Sequence, residues 1–205
     1  MNSATATPDP AERRAAWILG GVALAEGAWV VLNAWDNPGG FIRYLGFAPG
    51  RLGTASGWAL AMVVVAGFVG ASSRLPSVRA NLVRLSWLKL LALVVAVVAG
   101  ILEEVFFRKL LMDWLQGAQA AVVVQVVVSG LVFGVAHGIW GLFGGARAAL
   151  GATVATGILG TALAVVYVLA DRSLAPCVFA HFLLDALIEP GLVLAATRGE
   201  MSARR

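Results

Sequence analysis

The sequence predicts an all-α fold, a polytopic bundle of about six transmembrane helices, or seven or eight helical pieces if one span is broken. Of the 205 residues, 60% are hydrophobic and only 13% are charged, whereas soluble domains have about 45–50% apolar and about 25% charged residues. The apolar residues also form runs of about 20, the length that a helix needs to cross a bilayer. We therefore expect residues 1–205 to form a single integral membrane domain with an intramembrane polar site.

The first three predicted spans cover residues 16–35, 54–71 and 87–107. Segment 1–15 precedes them, is rich in Ala, Pro and charged residues, and is expected to be flexible. The apolar run that follows it lacks a convincing cleavage site and is expected to be a retained first span. A turn-forming stretch that begins at Asp36 ends the first span. The third apolar run continues far enough toward residue 115 to break into two helical pieces.

The last three predicted spans cover residues 118–140, 148–170 and 174–196. The fifth contains Gly151, Gly157 and Gly160, small residues that allow helices to approach closely, although flexibility would explain them equally well. Tryptophans near several of the span ends, such as Trp87 and Trp140, fit the membrane interface.

Basic residues predict the orientation of the chain. The side that holds the termini, the loop from Arg74 to Lys89 and Arg147 collects ten of the 15 Lys and Arg residues. Cytoplasmic loops carry the excess of Lys and Arg, so both termini are expected in the cytoplasm, in a multi-pass protein of a prokaryotic cell membrane. These residues are scattered rather than clustered, which excludes nucleic acid as a predicted partner and leaves the lipid bilayer.

A single cysteine narrows the chemistry further. Cys177 cannot form an intrachain disulfide, and one thiolate cannot build a zinc site of several cysteines. We interpret it as a small apolar side chain near the start of a helix.

A pair of carboxylates lies near the end of the third apolar run. Ionised side chains cost at least about 2.5 kcal/mol each at a bilayer centre, so each one requires an explanation. Glu104 and Arg108 are four residues apart on one helical face and are expected to pair. Glu103 is left without a cation and is suited to act as a general base. The alternative is that this stretch is a solvated helix end at the membrane interface.

Both histidines of the chain lie within predicted spans. Ser129, Phe133 and His137 follow at steps of four and give their helix one face with polar character. His181 and Asp185 are also four residues apart and can present polar groups to the same point in the bundle. A structural interpretation, in which Asp185 only orients His181, still requires an internal polar cavity.

Together these groups resemble the CAAX protease and bacteriocin-processing family, also called the Abi or type II CAAX prenyl endopeptidase family. The family pattern is a Glu-Glu pair with Arg four positions after the second Glu, Phe four before a His, and a His followed four later by Asn or Asp. This chain has Glu103-Glu104 with Arg108, Phe133 with His137, and His181 with Asp185, in that order. The resemblance covers about residues 86–190, the family-like catalytic core.

The resemblance implies an intramembrane endopeptidase that acts on a membrane-associated peptide or protein substrate. Glu103 and His137 would activate the attacking water, and His181 and Asp185 would stabilise the oxyanion of the tetrahedral intermediate. Glu104, Arg108 and Phe133 would support the site. An ionised aspartate would repel an oxyanion, so Asp185 is expected either to be protonated or to orient His181.

Cofactor use and two rival functions stay open at this point. No cofactor is expected, because the His-Glu-x-x-His zinc signature is absent, but a zinc form with His137, His181 and Glu103 as ligands is the alternative. The rivals are a non-catalytic membrane immunity or scaffold protein, and a proton-coupled carrier that uses Glu26 in the first span. We interpret Glu26 itself as an interfacial or helix-pairing residue.

Overall fold

The computed structural model describes residues 9–201 and confirms the all-α fold. Within that range, six helical segments are long and apolar enough to span a membrane. A helix satisfies its own backbone hydrogen bonds, which is why apolar runs of this length fold this way in lipid. The helices are α1 Pro10–Ala34, α2 Pro38–Tyr44, α3 Ala55–Ser72, α4 Pro76–Asn81, α5 Trp87–Glu104, α6 Leu111–Gly117, α7 Val122–Ala136, α8 Gly141–Leu169 and α9 Ala175–Thr197.

Two helices begin earlier than predicted. The first starts at Pro10, so part of segment 1–15 is helical rather than flexible, while residues 1–8 lie outside the described part. Asp9 caps it by accepting a hydrogen bond from the Ala11 amide, and the Arg198 guanidinium lowers the pKa of this carboxyl through a second hydrogen bond. Helix α8 starts at Gly141 and kinks at Gly145, where φ is 77°.

The third span runs on without a break into a further helix. A π-helical segment, Val105–Leu110, joins α5 to α6, so that residues Trp87–Gly117 form one helical rod of 31 residues. A π segment follows an i→i+5 hydrogen-bond pattern and is frequently found at functional sites. The fourth span is shorter than predicted: α7 begins at Val122, and a 3₁₀ turn, His137–Trp140, follows it.

Helix α9 is the centre of the bundle. In the most apolar 18-residue stretch of α9, 61% of the residues are buried, against 11% in that of α1. It contacts α1, α3, α4, α5 and α8. One apolar core lies mainly between α3, α8 and α9, and a second lies between α1, α5 and α9. The side chains of α9 are therefore the ones best enclosed by protein.

Buried cations correct part of the charge count. Lys89 was assigned to a loop, but it lies in α5, and its ammonium donates to the carbonyls of Leu82, Ala186 and Leu187. Arg108 is also fully buried. Arg147 lies within α8 rather than in a connection. Leaving Lys89 and Arg108 out of the count removes one basic residue from each side of the membrane. The side that holds the termini therefore keeps its excess of Lys and Arg.

The fold also explains one of the three small residues noted in the fifth span. A Cβ on Gly157 would lie 3.6 Å from the Gly130 carbonyl, and one on Gly160 would lie 2.8 Å from the Cβ of Phe133. Close approach of α7 and α8 therefore requires glycine at Gly160, whereas a Cβ at Gly157 would make an ordinary van der Waals contact. Gly151 has no atom within 4 Å of such a Cβ, so packing does not account for it.

Candidate active site

Glu103 and Glu104 are the last two residues of α5, immediately before the π segment. The Glu104 carboxylate is fully buried and joins two partners. Its Oε2 lies 3.0 Å from Nε of Arg108, which is also fully buried, and its Oε1 lies 2.7 Å from Nδ1 of His181. The predicted pairing of Glu104 with Arg108 is therefore present, and the same carboxylate also fixes a histidine on α9.

A close approach of α5 and α9 allows this contact. A Cβ on Gly100 would lie 3.3 Å from the Phe182 amide nitrogen and 3.7 Å from the Cβ of His181. One helical turn further along α5, Glu103 and Glu104 consequently reach the polar face of α9. The glycine thus determines how near the two carboxylates come to His181.

Hydrogen bonds to Nδ1 determine which ring nitrogen each histidine presents to the site. His137 Nδ1 lies 2.9 Å from the Phe133 carbonyl oxygen, which can only accept, so this nitrogen carries the proton. The Glu104 carboxylate accepts in the same way from Nδ1 of His181. In a neutral ring, Nε2 is then the acceptor. Both histidines therefore direct Nε2 toward the remaining carboxylates.

Glu103 lies between the two histidines. Its Oε2 is 3.7 Å from Nε2 of His137 and 3.7 Å from Nε2 of His181, too far for direct hydrogen bonds. This oxygen is buried and has no hydrogen-bond partner among residues 9–201. Asp185 completes the group, with its Oδ2 3.5 Å from Nε2 of His181. The structure therefore brings together Glu103, His137, His181 and Asp185, the residues proposed from the sequence.

Phe133 packs between the ion pair and the histidines. Its ring centroid lies 4.4 Å from that of His137 and 5.9 Å from that of His181. The Arg108 guanidinium carbon lies 4.7 Å from the same ring, on its face, within the range of a cation–π contact. Phe133 thus restricts both imidazoles and shields the buried guanidinium.

Ser129 ties α7 to the π segment. Its hydroxyl donates to the Phe107 carbonyl at 3.0 Å, where the ordinary helical hydrogen-bond ladder is interrupted. The face of α7 predicted from Ser129, Phe133 and His137 therefore exists, although its members serve different purposes: Ser129 holds the backbone, Phe133 fills space, and His137 points to Glu103.

A cavity of about 630 Å³ is lined by Glu103, Phe133, His137, His181 and Asp185. Its walls are mainly apolar, and it extends to Trp17 near the start of α1, Ser72 at the end of α3 and Met201 after α9. Those positions lie on the side of the bundle that holds both termini. Glu26, interpreted from the sequence as an interfacial or helix-pairing residue, lines the same cavity, and its Oε2 is buried without a hydrogen-bond partner in the described region.

Sequence reasoning missed Glu189, which also lines the cavity. The available signal was its spacing: it follows Asp185 by four residues and His181 by eight, which places all three on one helical face. Cys177 is free and buried, which agrees with its interpretation as a small apolar side chain. Its Sγ lies 3.4 Å from the Leu163 carbonyl oxygen. Within the described part of the chain, no group of three or more His, Cys, Asp or Glu side chains is arranged to hold a metal ion.

Comparison with known families agrees with the site. The sequence profile of the type II CAAX prenyl endopeptidase Rce1-like family matches residues 85–187, half of the chain, and this segment includes every residue of the Glu/His cluster. The chain belongs to this family. Rce1-like proteins are proteases, so the buried cluster lies in an intramembrane protease. No curated protein and no solved structure matches the chain.

Proposed function

We propose that this Rce1-like protein hydrolyses a peptide bond of a membrane-associated peptide or protein terminus, using water activated by Glu103 and His137. The observation that carries the proposal is the Glu103 carboxylate, whose buried Oε2 lacks a partner and lies 3.7 Å from Nε2 of two histidines. A water placed there donates one hydrogen to Glu103 and the other to His137, since both atoms are acceptors.

The chemistry follows from these positions. Glu103 takes a proton from the water as its oxygen attacks the scissile carbonyl carbon, which forms a tetrahedral intermediate. His181, with protons on both nitrogens, donates its Nε2 proton in a hydrogen bond to the oxyanion, and Glu104 stabilises that cation from the other side of the ring. Glu103 then returns its proton to the leaving nitrogen as the carbon–nitrogen bond breaks. Each group acts from a preorganised position, which is where electrostatic catalysis is most effective.

Asp185 is assigned the protonated state, in which it donates a hydrogen bond to the oxyanion beside His181. Asparagine has a permanent donor of similar shape, so Asp185→Asn should retain hydrolysis within about tenfold, whereas Asp185→Ala should lose about 10²–10³-fold, the usual cost of removing one oxyanion donor. Hydrolysis rates of the two variants in nanodiscs measure this. Equal losses of hydrolysis rate in both variants would instead indicate that Asp185 is ionised and that its negative charge orients His181.

We further propose that hydrolysis does not require a metal. The arrangement of the described side chains and the missing His-Glu-x-x-His signature support this form. Purified protein should contain no stoichiometric zinc by mass spectrometry and should stay active with 1,10-phenanthroline. Stoichiometric zinc that is lost in the His137→Gln variant would contradict the metal-free mechanism. It would favour the zinc-dependent mechanism, with His137, His181 and Glu103 as ligands.

The cavity supports entry of the substrate from the side that holds both termini. Together with the asymmetry of Lys and Arg, this supports an entrance on the cytoplasmic side of the membrane. A peptide threaded along the apolar walls would reach Glu103 in the cavity. Labelling of single cysteines introduced at the termini and in the 45–54 loop, with a membrane-impermeant reagent, tests this orientation.

The test of function is a comparison of terminal peptides in the membrane proteome. Cells that express the wild type should yield new protein termini that disappear with Glu103→Gln. Glu12→Gln, the same chemical change at the start of α1 and away from the cavity, should leave them unchanged. With one identified substrate as a synthetic peptide, Glu103→Gln should slow hydrolysis by about 10²–10⁴-fold, the usual contribution of a general base. Identical termini from wild type and Glu103→Gln would favour a non-catalytic scaffold.

A further inference from the structure

Two carboxylates in the cavity have no part in the mechanism above. Glu26 projects from α1 and Glu189 from α9, and both line the cavity that Glu103 and His181 also line. Glu26 lies close enough to Glu103 and Asp185 for their charges to interact. The charge of Glu189 likewise interacts with those of Asp185 and Glu26. The cavity therefore contains more acidic groups than the two histidines can neutralise.

One oxygen of the Glu26 carboxylate also lacks a hydrogen-bond partner. Its Oε2 is buried and accepts no hydrogen bond from residues 9–201. By contrast, the buried Glu104 carboxylate forms an ion pair with Arg108 and a hydrogen bond with His181. A buried carboxylate is costly unless it is hydrogen-bonded or paired with a cation. The fold supplies that cation for Glu104 and leaves Glu26 lining the cavity.

We infer that Glu26 and Glu189 are specificity-determining residues that bind the cationic side chain of a Lys or Arg in the substrate. This inference rests on the proposed function, because it concerns the same cavity. The apolar walls would hold the neighbouring side chains of the substrate, so the preferred segment is amphipathic, apolar with one basic residue.

The spacing on α9 locates that basic residue. Glu189 lies two turns beyond His181, about 12 Å along the helix axis at 1.5 Å per residue. An extended peptide advances about 3.3 Å per residue, so this distance corresponds to about four residues. The basic side chain should therefore be within about four residues of the cleaved bond.

Binding of three peptides tests the inference. All have one apolar eight-residue sequence: the first is acetylated and contains Lys, the second is acetylated and contains norleucine instead, and the third contains norleucine but has a free amino terminus. Calorimetry with the Glu103→Gln protein in nanodiscs, blanked against empty nanodiscs, avoids hydrolysis. We expect the Lys peptide to bind at least tenfold more tightly than the acetylated norleucine peptide.

Variants identify the residues responsible. Adding Glu26→Gln and Glu189→Gln should reduce the preference for Lys to less than threefold, whereas adding Glu12→Gln, outside the cavity, should leave it unchanged. Equal or undetectable binding of the two acetylated peptides would overturn the inference. Tight binding only by the peptide with a free amino terminus would also overturn it, because the recognised cation would then be the chain terminus.

Cleavage of the same peptides separates this inference from the proposed function. Wild-type protein that binds the Lys peptide selectively but never cleaves a membrane peptide would contradict the protease mechanism and leave the cation site standing. Wild-type protein that cleaves substrates irrespective of their charge would contradict the cation site and leave the protease mechanism standing.

Discussion

The buried pair of Glu104 and Arg108 makes a quantitative prediction about stability. Both side chains have 0% exposure, and Nε lies 3.0 Å from Oε2. Removing one partner of a buried pair costs about 3–5 kcal/mol, because the other charge is left uncompensated. Glu104 keeps His181 as a second partner at 2.7 Å, so we expect Arg108→Met to lie at the lower end, at about 3 kcal/mol.

A double-mutant cycle measures how far the two residues act as one unit. Glu104→Gln should cost about as much as Arg108→Met, but the double variant should cost only slightly more than either, which gives a coupling free energy of about 2–3 kcal/mol. Reversible unfolding in mixed micelles, followed by tryptophan fluorescence, supplies the four free energies of unfolding.

The next residue of the helix provides a matched control. Lys109 and Asp113 have the same four-residue spacing, with Nζ 2.9 Å from Oδ2, but their side chains are 30% and 32% exposed. Solvent screening should limit the coupling between them to about 0.3–0.5 kcal/mol. A coupling for Glu104 and Arg108 no larger than this control would refute the argument that burial makes that pair indispensable.

Two further predictions concern how the helices pack. Pro190 cannot donate a hydrogen bond to the Ala186 carbonyl, which accepts from the Lys89 ammonium at 2.6 Å instead. Lys89→Met should therefore lower the free energy of unfolding by about 1–3 kcal/mol. Adding Pro190→Ala should recover part of this loss. A Cβ on Gly134 would lie 2.5 Å from a carbonyl oxygen of α8, so Gly134→Ala should lower both the unfolding midpoint and hydrolysis; Gly67→Ala, where nothing lies within 4 Å, should lower neither.

Much of the fold could be predicted because the bilayer limits the choices. An apolar run of about 20 residues must be helical in lipid, so the six spans followed from composition and length. The ends were harder to predict. The extension of α1 to Pro10 depends on capping by Asp9, and the continuity through Val105–Leu110 depends on a π segment, which apolar periodicity does not encode.

The positions of the cavity carboxylates show where sequence reasoning stopped. Spacings of four residues within one helix correctly grouped Glu104 with Arg108 and His181 with Asp185. Contacts between helices depend on how the helices rotate and tilt against each other, which one sequence does not determine. Glu26 was therefore assigned to an interface although α1 turns it into the cavity, and the pairing of Glu104 with His181 was not foreseen.

That second contact of Glu104 couples stability to catalysis. One oxygen holds Arg108 and the other holds Nδ1 of His181, so a single carboxylate fixes both the π segment and the ring orientation of a proposed oxyanion donor. Arg108→Met removes only the first contact and should mainly lower stability. Glu104→Gln can present its amide group to Nδ1 without a charge, so it should lower the hydrolysis rate as well, even where the variant remains folded. Loss of rate that tracks loss of stability equally in both variants would mean that Glu104 only holds the bundle together.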